Sequence, residues 1–116
     1  MHESFVLSCL EDIPGFCMLV PVSTPRSRYV LILDKDYEHE SNALIDFVET
    51  RLFRNPQYAY ARNIGQLDKL DSYEASRPLH KYTQRLAAGG ARLGDLKVTA
   101  LRPETDWLDT FSMKSG

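Results

Sequence analysis

The sequence predicts a small α+β fold. This is a two-layer sandwich with a short sheet of about three strands and helices on one face, in the manner of a ferredoxin-like split βαβ unit. Three observations lead there. The run YVLILD, Tyr29 to Asp34, is unbroken, apolar and rich in β-formers, which marks a strand. A second apolar run, FCMLVPV from Phe16 to Val22, lies one polar loop upstream, within hairpin reach. Helix-period patterns follow, then a weaker strand and another helix, so a helical crossover returns the chain to the sheet.

Residues 2 to 11 read as a short helix with Phe5, Val6, Cys9 and Leu10 on one face. The turn DIPG, Asp12 to Gly15, stops it. The late Pro21 in the first strand points to an edge or a bulge, because proline cannot donate to a ladder. STPRSR is the connecting loop, and KDYEHES follows the second strand as another. Ser41 is placed to cap the helix NALIDFVETRLF, whose Leu44, Ile45, Val48 and Leu52 form a stripe with Phe47 beside it. Asn55-Pro56 reads as a cap followed by a first-turn proline. A second helix therefore starts there, carries Tyr58, Tyr60, Ala61 and Ile64, and ends at Gly65. KLDSYEAS is the weak third strand. RPLHKYTQRLAAGG is a helix with proline near its start and a Gly89-Gly90 stop. The next stretch is irregular, extended only near Lys97 to Leu101, and ETDWLDTF forms a last short helix.

At 116 residues the chain suits a single domain, 1–116. A hydrophobic content of 43% excludes a disordered tail. The formal charge of −2 does not advertise a nucleic-acid or membrane binder. No apolar stretch is long enough to span a bilayer, and MHESFVLSCLED lacks the basic start of a secretion signal. Cys9 and Cys17 make no disulfide framework and read as inert core thiols of a cytoplasmic protein.

Chemistry-bearing patterns are sparse. His2, His39 and His80 have no metal-ligand spacing, so no metal site is expected. Asp34, Asp36, Glu38 and Glu40 cluster around a loop without the glycine-centred calcium pattern, which suits a solvated loop. No Gly-x-Ser-x-Gly elbow occurs. GGARLGDLK fails the phosphate-loop pattern, because Asp95 and Leu96 stand where a lysine and a hydroxyl residue belong. It still delivers Lys97 from a glycine-rich stretch, and a lysine there can meet a phosphate as a compact charge. Arg51, Arg54, Arg62, Tyr58 and Tyr60 mix cations with aromatics, as base-stacking surfaces do. The surrounding acids Asp46, Glu49 and Asp68 and the helical spacing favour a packing role, with Tyr58, Tyr60 and Arg62 securing the helix pair onto the sheet.

Five segments in order resemble the C-terminal subdomain of bacterial members of the GH3 family, which are adenylate-forming acyl-acid amido synthetases. They are HESFV, RYVLILD, NPQYAYARNIGQL, RPLHKYTQRLAAGG and RLGDLKVTALRP. The family's Asn-x-x-Tyr-x-x-Ala-Arg run with a following Gly-x-Leu is matched by Asn55, Tyr58, Ala61, Arg62, Gly65 and Leu67. Its late glycine-rich turn and lysine are matched by Gly89, Gly90 and Lys97. Val98 and Thr99 depart from its usual proline, and its glutamine before the lysine is missing.

The resemblance covers nearly the whole chain. It implies a lid subdomain cut from a large N-terminal adenylation domain, on the same or a neighbouring chain. In the whole enzyme ATP and Mg activate a carboxylic acid to an acyl adenylate, and an amine then forms the amide. Lys97 would be the catalytic lysine. Tyr58, Arg62, Gly89 and Gly90 would be candidates for the hinge or domain contact. Alone, the chain would bind no cofactor and be inactive. The competing expectation is a freestanding ferredoxin-like module that binds a small ligand or a protein.

Overall fold

The computed structural model describes residues 1–37, 40–90 and 99–112. The elements are α1 (Glu3–Leu10), β1 (Cys17–Val22), β2 (Arg28–Asp34), α2 (Ser41–Leu52), α3 (Pro56–Asn63), β3 (Asp71–Ala75), α4 (Pro78–Ala88) and α5 (Trp107–Ser112). The predicted order holds: two strands, a helical crossover, a third strand.

The sheet runs β1-β2-β3. β1 and β2 are antiparallel, with Cys17 opposite Leu33 and Val22 opposite Arg28. β2 and β3 are parallel, with Val30 opposite Asp71 and Asp34 opposite Ala75. The helical crossover therefore joins direct neighbours, and no strand is inserted into the βαβ unit to split it. Pro21 sits on β1 opposite Tyr29. The Leu19 N–H points away from β2 and donates to the Ala100 carbonyl at 2.7 Å. The Pro21 nitrogen, two residues on, faces the same outer side, so the missing N–H costs the β1–β2 ladder nothing. A parallel bridge from Leu19 to Leu101 partly covers that edge.

β2 is buried along Val30–Leu33, which are at most 1% exposed, and the pleat sends alternate residues to opposite faces. Leu31 and Leu33 join one core with Val6, Leu10, Val48, Leu52 and Tyr58 from α1, α2 and α3. Val30 and Ile32 join a second core with Tyr82 of α4 and with Trp107 and Phe111 of α5. The helical layer expected on one face is α1–α3. The other face is covered as well, by α4 and α5. The reason is β2 itself, whose unalternating apolar run leaves neither face fit for water.

The helix ends follow local chemistry. Asn55 caps α3, its side-chain oxygen accepting from the Gln57 N–H at 2.9 Å and the Tyr58 N–H at 3.1 Å, with Pro56 next in line. Gly65 ends α3 at φ +80°, a left-handed conformation that suits glycine. Gly90, at φ +97°, does the same after α4, with Gly89 at the C-cap. α2 begins one residue earlier than expected: Glu40 occupies the N-cap and makes no side-chain cap bond.

Candidate functional site

Two places concentrate chemistry. One is a polar knot around Glu49, on the buried side of α2. Glu49 is only 7% exposed. Its carboxylate accepts from Arg62 Nη2 at 2.6 Å and Nε at 2.9 Å, from the Leu70 N–H at 2.7 Å, and from the Tyr58 hydroxyl at 3.2 Å. Four donors, from α3 and from Leu70 just before β3, thus converge on one acid. A buried carboxylate is tolerable only when its oxygens are satisfied in this way. Burial, and then the neighbouring Glu49 charge, push the Tyr58 hydroxyl well above its ordinary range, so it stays a protonated donor. The knot ties α2, α3 and β3 together. It offers no free proton acceptor to a substrate, which makes it a structural clasp.

The other place is a groove at the end of the sheet where β1 begins and β2 and β3 finish. α2 follows β2 onto the first face and α4 follows β3 onto the second, as their two cores show. Parallel neighbours whose connections leave to opposite faces open a crevice at their carboxyl ends, a common ligand position in such sheets. Here the Lys35 N–H already donates to the Ala75 carbonyl at 3.0 Å, drawing the two strand ends together. The open space lies beside them, at the entry to β1. It measures 370 Å³ and is lined by Leu7, Ile13, Phe16, Cys17, Leu79 and Thr99, among others. Gly15, at φ +80°, allows the turn at its rim: a Cβ there would meet the Tyr37 ring at 2.7 Å.

The groove is mostly apolar. Burial pushes the Cys17 thiol up to about 12, so it remains a neutral thiol rather than a nucleophilic thiolate. The Thr99 hydroxyl lies 3.5 Å from the Tyr82 hydroxyl. Such walls can shelter an apolar group, but the described side chains lining them include no charged acid or base.

The segment leading away from this groove is fixed at its near end. The Thr99 N–H donates to the Tyr82 hydroxyl at 3.4 Å, and the Ala100 N–H donates to Glu3 Oε1 at 2.9 Å. Lys97, two residues earlier, lies outside the described residues, as do the rest of 91–98, Glu38 and His39, and the capping side chain expected of Ser41. Gly89 and Gly90 stand where the sequence places them, after α4. Among the described residues no group of three or more His, Cys, Asp or Glu side chains could hold a metal ion. No described helix is long and apolar enough to cross a membrane.

The structure separates the residues of the cation–aromatic mix. Tyr58 is 3% exposed and Arg62 is bound to Glu49, so both secure the helix pair as read. Tyr60 does not, since it is 64% exposed. Two residues along a helix turn the side chain by about 200°, so Tyr58 and Tyr60 cannot share a packing face. Ile64 is likewise exposed. Arg51 pairs with Asp12 at 2.7 Å and lies 4.1 Å over the Phe47 ring, clamping α2 to the turn after α1. Glu49 was missed as the hub. The signal was present: an acid three residues before Leu52 and four after Ile45 lies on the apolar stripe, where a charge needs partners.

No known protein family matches the chain in a scan of family signatures, and no curated protein matches it.

Proposed function

We propose that this chain is the lid subdomain of an ATP-dependent, adenylate-forming acyl-acid amido synthetase of the GH3 type. A large adenylation domain, on the same or a neighbouring chain, would bind ATP, Mg and the acyl substrate. The observation that carries the reading is the run Asn55, Tyr58, Ala61, Arg62, Gly65 and Leu67, the family motif in order and spacing. Each of these residues but Ala61 has a physical task of its own here: a cap, a buried ring, a clasp, a left-handed stop and a core contact. Support also comes from the fixed points on either side of Lys97: the Gly89-Gly90 stop before it and the anchored Thr99–Leu101 after it.

In this reading the lysine meets negative charge developing on the activated phosphate. A preplaced cation is worth most in a dry cleft, and it costs no reorganisation at the moment of reaction. The closing and opening of the lid divides adenylation from amide transfer. In this reading the adenylation site belongs to the large domain, and the chain is inactive alone.

Isothermal titration of ATP into the chain tests the division of labour. The expected result is no binding in the micromolar range; a micromolar Kd overturns the reading. In a full-length parent, Lys97→Ala is expected to slow pyrophosphate exchange by about 100-fold, and amide transfer from preformed adenylate much less. Unchanged exchange would remove Lys97 from the chemistry.

A second reading, a freestanding module that binds a small ligand or a protein, is favoured by Leu7 and Leu79, each 54% exposed beside the groove. A coding sequence that continues upstream into a large domain, or a neighbouring gene for one, decides for the lid.

A further inference from the structure

We draw no further inference here: the strongest candidate, the apolar groove at the entry to β1 flanked by the exposed Leu7 of α1 and Leu79 of α4, carries nothing because no observation in the structure shows what covers it.

Discussion

On one face of the sheet, aliphatic side chains of α1 and α2, with the Tyr58 ring of α3, close around the buried Glu49 carboxylate; on the other, aromatic rings stack and the described carboxylates stay at the rim. The Tyr82 ring lies 5.3 Å from Trp107, which lies 5.7 Å from Phe111, and Phe16 adds an edge-on contact to Tyr82 and a tilted one to Phe111. Arg85 covers Trp107 at 3.9 Å and is itself held by Asp106 at 2.7 Å and by the Thr110 hydroxyl at 3.1 Å. Glu104 accepts from Trp107 Nε1 at 3.0 Å, which satisfies the one polar atom of that ring. The difference shows two ways to join helices to a sheet. The first face fixes α2 against α3 and β3 by directional bonds to a charge. The second stacks ring area and ties α4 to α5 by cations at its margin, Arg85 over Trp107 and the buried Lys81 Nζ donating to the Phe111 carbonyl at 3.1 Å.

The aromatic face should give the larger response to truncation. Trp107 is fully buried, and Trp107→Ala is expected to cost about 3–5 kcal/mol, read as a lower urea midpoint at unchanged slope. Trp107→Phe should recover a large part of that. A loss under 1 kcal/mol for the alanine variant would mean that α5 does not hold the second face. Next in size is Glu49→Ala, at about 2–3 kcal/mol. Arg62 and the Leu70 N–H lose their acceptor, but Arg62 is 21% exposed and can turn partly to water. Glu49→Gln keeps the acceptor oxygen and should cost less than the alanine change. Equal costs for the two would show that shape, and not the bonds, makes the clasp.

The first face was the more legible of the two in the sequence. The stripe of α2, the Asn55-Pro56 start and the Gly65 stop are short-range signals, each decided by neighbours in the chain. The covering of the second face was not read, although YVLILD carries the sign of it: a strand wetted on one side would alternate. The helix at ETDWLDTF was found, but what it packs on depends on a register between residues some 75 apart, and no local pattern encodes that. The Glu49 clasp was hidden for the same reason. Acid, hydroxyl, guanidinium and backbone N–H come from three separate segments, so spacing puts Glu49 on the apolar stripe but does not name the partners that satisfy it.

The two faces should also fail at opposite ends of the pH scale, by smaller amounts. On the first face burial raises Cys9, Cys17, Tyr29 and Tyr58, with Cys17 going from 9.0 to about 12. A group raised in the folded state keeps a proton that the unfolded chain has lost. Its contribution is therefore complete below the unfolded value and drains away as pH climbs through the window, here from about pH 9 upward. On the second face, burial alone would raise Glu104, but hydrogen bonds from its own N–H and from Trp107, with the nearby Arg102, outweigh it and leave it lowered. The Arg85 hydrogen bond lowers Asp106. Those contributions are complete above the ordinary carboxylate range and disappear as pH falls through the lowered values. They are the weaker arm, since the Asp106 side chain is 65% exposed and that of Glu104 38%, and solvent screens both. Urea midpoints measured from acid to alkaline pH should show both arms. Cys17→Ala should flatten the alkaline one, whose slope from this thiol is at most about 1.4 kcal/mol per pH unit. Asp106→Asn should soften only the acid one. The slopes are the quantity to compare, because each variant also shifts its own baseline at neutral pH. An alkaline slope untouched by Cys17→Ala would mean that the thiol reaches water in the folded chain, and that the groove beside β1 is wetter than its apolar walls imply.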